Sequence, residues 1–269
     1  MRSLLYAALF GMLEGITEWL PISSTGHLIL LEYFLIFPAR AAFFELFEVV
    51  IQLAAILAVV VLYFGKLNPF SRQKTKTARR DTWRLWCLVL LAAFPSAVIG
   101  LLLDDFLDAQ LFNPLTVACM LIFYGIAFIL VEKRRKLTPS GRIITKRHAF
   151  GVGLFQVLAL VPGTSRSGAT MLGGTLLGLS RTGAAEFSFF LGIPTMLGAS
   201  ALKCVKFFFE GNVLAREEIL MLTTGMICSF LTSLIVIRFL LNFVKRHGFV
   251  GFGIYRILLG TAVLLTLFL

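Results

Sequence analysis

The feature that most constrains this chain is a set of apolar runs too long for an ordinary soluble core. A helix needs about 20 largely apolar residues to cross a bilayer, and residues 45–64, 85–103, 115–132, 219–241 and 249–268 approach or exceed that length. Hydrocarbon offers no partner to backbone N–H and C=O groups, so a spanning segment is either a helix or a strand of a closed barrel. Runs this long lack the period-two alternation of barrel strands. The expected fold class is therefore an all-α integral membrane protein, a multi-span helical bundle forming a single transmembrane domain over residues 1–269. Composition agrees, because 58% hydrophobic and 14% charged residues lie outside the range of soluble domains. Arg2 and the apolar run to Leu13 imitate a signal peptide, but Glu14 and Glu18 follow at once with no small-residue cleavage site. The segment is expected to be retained. Cys87, Cys119, Cys204 and Cys228 lie in apolar stretches without CxxC spacing and read as small core residues, not as disulfides or metal ligands.

A net charge of +11 suits a nucleic-acid binder, so the placement of the cations has to decide. Lys66, Arg72, Lys74, Lys76, Arg79, Arg80 and Arg84 fall in one loop, and Lys133, Arg134, Arg135, Lys136, Arg142, Lys146 and Arg147 in another. Both loops abut spans, as the positive-inside rule describes, and face anionic lipid headgroups; no nucleic-acid partner is expected. Between the two intervening spans, residues 104–114 carry Asp104, Asp105 and Asp108 and no Lys or Arg, and should face outward. With the basic loops in the cytoplasm, both chain ends are expected outside.

Two stretches share order and chemistry: GMLEGITEWLPISSTGHLIL at residues 11–30 and GLFQVLALVPGTSRSGATML at 153–172. Each runs glycine, an acid or amide (Glu14, Gln156), an apolar stretch, proline (Pro21, Pro162) and an S-x-[ST]-G cluster (Ser23 to Gly26, Ser165 to Gly168). Each proline follows an apolar run too short to cross, as in a re-entrant hairpin. Irregular backbone at membrane depth is tolerated only beside protein or a water-filled cavity. Two such breaks in matching positions point to a shared polar site. Three spans lie between them, and an odd number inverts the second half. The expectation is two inverted-topology repeats, approximately 1–132 and 148–269, each containing a re-entrant helical hairpin.

Ionised side chains at membrane depth are costly and usually mark a pathway or site. Glu14 and Glu18 are four residues apart, on one helix face. Glu48 and Gln52 repeat that spacing in the next helix, His27 follows the first break, and Ser165, Arg166, Ser167 and Thr170 follow the second among glycines. Singly, each has a plainer reading: a helix cap, an interfacial histidine, or a structural pair between Arg166 and Glu48 or Glu186. Together, a guanidinium and helix-start amides suit phosphate oxygens. Carboxylates repel the same anion unless a divalent cation intervenes, and Mg²⁺ is held by one or two carboxylates plus substrate phosphates. The set suits metal-assisted phosphoryl transfer, with serine or histidine as nucleophile or proton shuttle.

EGITEWLPISSTGH at residues 14–27 and PGTSRSGAT at 162–170 resemble the two signature stretches of the undecaprenyl-diphosphate phosphatases, bacterial membrane enzymes also called bacitracin-resistance proteins. The resemblance runs along the whole chain, including FEVVIQLAAILAVV at 47–60 and AAEFSFFLGIP at 184–194. It implies hydrolysis of undecaprenyl diphosphate, and of other long-chain prenyl diphosphates, to the monophosphate and inorganic phosphate, recycling the cell-wall carrier lipid with Mg²⁺ or Ca²⁺. It also implies residence among the lipids of the bacterial cytoplasmic membrane, with the active site open to the exterior. Carried over by position, Glu14 and Glu18 are the acidic pair and metal ligands, and His27 and Arg166 are catalytic. Ser24 occupies the place of a serine nucleophile, while Ser23, Thr25, Gly26, Glu48, Gly163, Ser165, Ser167, Gly168 and Thr170 line the pocket. Attack by Ser24, His27 or water stays open, as does a homodimer. A transporter or flippase of lipid-linked phosphate carriers is the rival suggested by the inverted repeat.

Overall fold

Long apolar segments in this chain become long helices, and the proline-marked stretches become breaks between short ones. The computed structural model describes residues 2–134 and 143–267, without the side chains of residues 104, 105 and 108. Arg135, Lys136 and Arg142 of the second basic loop, and the side chains of Asp104, Asp105 and Asp108, therefore lie outside the described residues. The chain runs α1 (Arg2–Thr17), α2 (Ser24–Phe34), α3 (Ala41–Leu62), α4 (Phe64–Leu67), α5 (Lys76–Leu111), α6 (Pro114–Arg134), α7 (Lys146–Val157), α8 (Arg166–Leu176), α9 (Arg181–Phe209), α10 (Arg216–His247) and α11 (Val250–Leu265), with no strand among the described residues. Within those residues α3, α5, α6, α9 and α10 are long and apolar enough to cross a membrane, and α11 is a shorter apolar helix. Large apolar side chains on their outer faces, such as Phe94, Leu102, Phe123, Ile235 and Leu258, are exposed. The protein is a multi-pass helical membrane protein.

Three expectations need correction. The basic stretch 66–84 is not loop throughout: α5 begins at Lys76, so Arg79, Arg80 and Arg84 ride on its first turns. The same helix continues to Leu111, past the expected end of the span at 103, and takes in most of the segment expected to face outward. All four cysteines are free, but Cys87 and Cys119 are exposed and not core residues. A thiol is apolar enough to face lipid as readily as protein, so hydropathy alone could not assign its face.

Helix contacts pair off in a repeated pattern. α1 packs along α10 as α7 packs along α5, α3 crosses α9, α6 lies against α11, and α2 touches α11 as α8 touches α6. Glycines bring several helix pairs into backbone contact, as is usual where lipid supplies no hydrophobic drive. Gly125 and Gly253 face each other across α6 and α11, each so close that a Cβ on one would lie 2.7 Å from the carbonyl oxygen of the other. A Cβ on Gly11 of α1 would lie 2.9 Å from the Gly225 Cα of α10 and still closer to its carbonyl. Backbone cannot yield as a flexible side chain does, so Gly11→Val should lower the unfolding midpoint in detergent by the equivalent of about 1–3 kcal/mol. Thermal unfolding followed by helical circular dichroism checks this, and an unchanged midpoint would contradict the contact.

The chain doubles back at each break. Ser3 at the start of α1 bonds Glu217 of α10, and Phe37, beyond α2, packs edge-on against Phe10 of α1 with ring centroids 4.9 Å apart. Arg40 then reaches Glu218 at 2.8 Å, so both limbs of α1–α2 belong to the end of the bundle where α10 begins. At the opposite end Lys66 pairs with Glu186 at 2.6 Å, Arg181 with Glu132, and the Phe249 amide with Glu132. A cavity of about 740 Å³ there is lined by Lys66, Lys74, Arg84, Ile144 and Ser180, so the segments flanking both limbs of α7–α8 meet the basic stretch.

Candidate active site

Both breaks are built the same way. Ser23 and Ser165 precede α2 and α8 with φ of 72° and 69°, the two non-glycine residues in the left-handed region among those described. Each serine Oγ accepts the amide of the glycine three residues on, Gly26 at 3.5 Å and Gly168 at 3.1 Å. The cap satisfies one of the orphan amides of each helix start. Gly163, at φ +87°, lies so close to α6 that a Cβ would come within 2.7 Å of Val117 Cα. Gly26 faces Leu121 of the same helix, so both glycines are packing requirements of the breaks against α6.

The breaks meet through Arg166 and Glu18. Arg166 Nη2 donates to Glu18 Oε1 at 2.7 Å and Nε to the same oxygen at 3.2 Å, while Nη1 donates to the Ser188 carbonyl at 2.8 Å. Both side chains are largely buried, with 14% and 6% of their surface exposed. Gln52 of α3 donates to the other Glu18 oxygen at 3.3 Å. Ser167 Oγ donates to the Glu18 carbonyl at 3.0 Å, and Thr170 Oγ1 lies 2.6 Å from Ser188 Oγ. Trp19 is fully buried edge-on to Phe189, with the Arg166 guanidinium 6.0 Å from its ring. Glu186, one of the two acids weighed for Arg166 in the sequence, is paired with Lys66.

Glu14 is 2% exposed, and its Oε1 has no hydrogen-bond partner among the described residues. Glu18 and Glu48 both act on it electrostatically. A buried carboxyl oxygen without a donor, beside a second acid, calls for a proton or a cation. Among the described residues no group of three or more His, Cys, Asp or Glu could hold a metal ion. Two carboxylates nevertheless fit Mg²⁺ when phosphate oxygens complete its shell.

His27 is not drawn into that cluster. Its Nδ1 lies 2.7 Å from the Ser23 carbonyl and its Nε2 2.7 Å from the Tyr255 hydroxyl, with the two rings stacked. A carbonyl only accepts, so neutral His27 carries its proton on Nδ1 and Tyr255 donates to Nε2. Ser24 opens α2 three residues before His27, partly exposed; it and Thr25 make no side-chain hydrogen bond to a described residue.

Four contributors were missed in the sequence: Trp19, Ser188, Tyr255 and Arg256. Arg256 is fully buried and donates to the carbonyls of Pro21, Gly163 and Thr164 in the two breaks. A guanidinium in the apolar run 249–268 carried the same signal that singled out Glu14, and only the length of that run was used.

Comparison with known proteins decides the family. Residues 7–262 match the family described as bacitracin resistance protein BacA. The chain belongs to that family. It is 56% identical to an undecaprenyl-diphosphatase of Enterococcus faecalis over 262 residues, 96% of this chain and 95% of that protein. The undecaprenyl-diphosphatase of Streptococcus thermophilus is 54% identical, covering 97% of this chain and 92% of its own. That of Latilactobacillus sakei is 51% identical, covering 98% and 97%. Within the BacA family frame, the Arg166–Glu18 pair joins the two motifs on which the sequence resemblance rested.

Proposed function

We propose that this protein hydrolyses undecaprenyl diphosphate, and other long-chain prenyl diphosphates, to the monophosphate and inorganic phosphate. The observation that carries this reading is the buried ion pair between Arg166 and Glu18. It puts a phosphate-matched guanidinium beside an acidic pair, in a chain of the BacA family whose relatives are named undecaprenyl-diphosphatases. The diphosphate displaces Glu18 from Arg166, whose planar fork takes up phosphate oxygens together with open amides at the starts of α2 and α8. Ser24 Oγ attacks the terminal phosphorus. Its O–P bond forms as the anhydride P–O bond breaks, prenyl monophosphate leaves, and His27 takes the serine proton after turning from Tyr255. Water then cleaves the phosphoserine, releasing inorganic phosphate and restoring Ser24. Mg²⁺ or Ca²⁺ would be held by Glu14 and Glu18 and would supply charge neutralisation on the diphosphate.

Two inverted repeats, each with a re-entrant hairpin, complete the proposal. The paired helix contacts, the matching serine caps and the opposite ends to which α1–α2 and α7–α8 return all support it. Lys66, Lys74, Arg84, Lys133, Lys245 and Arg246 gather at one end, which supports a reading with that end in the cytoplasm and the site open toward the exterior of a bacterial cytoplasmic membrane.

The test is phosphate release from undecaprenyl diphosphate by the purified full chain in detergent, with and without a chelator. Release is expected only without chelator and restored by added Mg²⁺ or Ca²⁺; chelator-resistant turnover removes the cation from Glu14 and Glu18. Labelled phosphate trapped on the parent and lost in Ser24→Ala supports the serine, whereas label lost only in His27→Ala transfers the attack to the imidazole. A protein that releases no phosphate overturns the hydrolase reading.

A further inference from the structure

Arg256 is a charge that the proposed chemistry does not use. It sits in α11 with none of its surface exposed, and no carboxylate among the described residues pairs with it. Its Nη2 donates to the Gly163 carbonyl at 2.8 Å, to Thr164 at 3.0 Å and to Met120 of α6 at 3.4 Å. Its Nη1 donates to Pro21 at 3.3 Å, the Tyr124 ring lies 5.6 Å from its Cζ, and Nε has no partner. One guanidinium thus gathers carbonyls from both breaks, which are 142 residues apart in the capping-serine register from Ser23 to Ser165.

A buried cation without an acid is tolerated only where dipoles replace its hydration. Here those dipoles are peptide carbonyls, with a consequence for the amides on their far side. A trans peptide is planar, with its C=O and N–H antiparallel. The Thr164 carbonyl that faces Arg256 therefore turns the Ser165 N–H away from it, and that N–H makes no backbone hydrogen bond in the loop. Ser165 is the cap of α8, directly before Arg166.

We propose that Arg256 is a positioning residue for the diphosphate site: through the Pro21, Gly163 and Thr164 carbonyls it locks the two breaks together and turns the Ser165 amide toward the bound anion. This rests on the diphosphate reading above. No acid among the described residues cancels its charge, so it adds attraction for the anion without touching it. Lysine can supply the charge but not the fork that reaches three carbonyls from two segments.

The experiment compares parent, Arg256→Lys and Arg256→Met as full chains in detergent. It reads kcat and KM for undecaprenyl diphosphate, binding of a non-hydrolysable prenyl methylene-diphosphonate, and the unfolding midpoint. Arg256→Met should lower kcat about a hundredfold, the scale of losing one preorganised amide donor, and raise KM. Arg256→Lys should recover KM and leave kcat depressed. Hydrogen exchange should show residues 21–26 and 162–168 losing protection together in Arg256→Lys, which keeps the proposal testable if the methionine variant does not fold. Parent-like kcat and KM in folded Arg256→Lys, or a lowered midpoint alone, overturns the positioning role. Diphosphonate binding by a parent that releases no phosphate, weakened in Arg256→Met, would fail the hydrolase reading and uphold Arg256.

Discussion

Arg166→Ala should reduce phosphate release from undecaprenyl diphosphate by at least about a thousandfold, the scale at which an arginine supports phosphoryl transfer. Among the described residues the Arg166 guanidinium holds one carboxylate oxygen of Glu18, and Gln52, a neutral amide, holds the other. Arg166→Lys should fall nearly as far, because a single ammonium cannot hold Glu18 and the Ser188 carbonyl as the fork does. Stability should fall too. Breaking a buried pair strands the remaining charge, at a cost of about 3–5 kcal/mol, so the unfolding midpoint of Arg166→Ala should drop. Adding Glu18→Gln removes the stranded charge and should recover the midpoint while leaving the enzyme dead. Phosphate release and thermal unfolding, measured on parent, single and double variants, check both halves. Activity within tenfold of the parent in Arg166→Ala would remove it from the site.

The two acids should answer differently to the same substitution. Glu14→Gln keeps the shape of the side chain and removes its charge. Activity should fall at least about a hundredfold, since an electrostatic partner of the reacting phosphoryl is lost, and the Mg²⁺ concentration for half-activation should rise. The unfolding midpoint should hold or increase, because Glu14 has a buried oxygen with no donor and two acids acting on it. Glu18→Gln should lose activity on a similar scale but also lose stability, since Arg166 then faces a neutral amide in place of its counter-ion. A midpoint for Glu14→Gln below that of Glu18→Gln would mean that Glu14 is held by contacts other than those described.

How much of this is legible in the sequence varies with the kind of signal. The spans were readable because hydrocarbon admits so few backbone solutions, and the breaks because proline and a Ser-Gly cluster interrupt a run in two places. The meeting of Arg166 with Glu18 was implied by complementary chemistry, but its choice of Glu18 over Glu48 or Glu186 was not. That choice depends on Lys66 occupying Glu186 and on Gln52, not Glu48, reaching Glu18. His27 was grouped with the acids by its place just past the first break and by the family resemblance. Its hydrogen bond to Tyr255 comes from an element 228 positions away, and no local pattern reports that. Arg256 was legible in principle, as a cation in an apolar run. So was the end of α5 at Leu111, which Asn113 and Pro114 closely follow.

The left-handed serines have a consequence for how this fold can be improved. Any residue with a Cβ occupies that region at a cost of about 1–2 kcal/mol, and Ser23 and Ser165 both do. Glycine would adopt the same backbone freely, yet it would forfeit the hydroxyl that fixes where each short helix begins. Selection for heat tolerance and selection for turnover therefore pull these two codons in opposite directions. A serine at each place accepts local discomfort and keeps two short helices starting where the fold needs them.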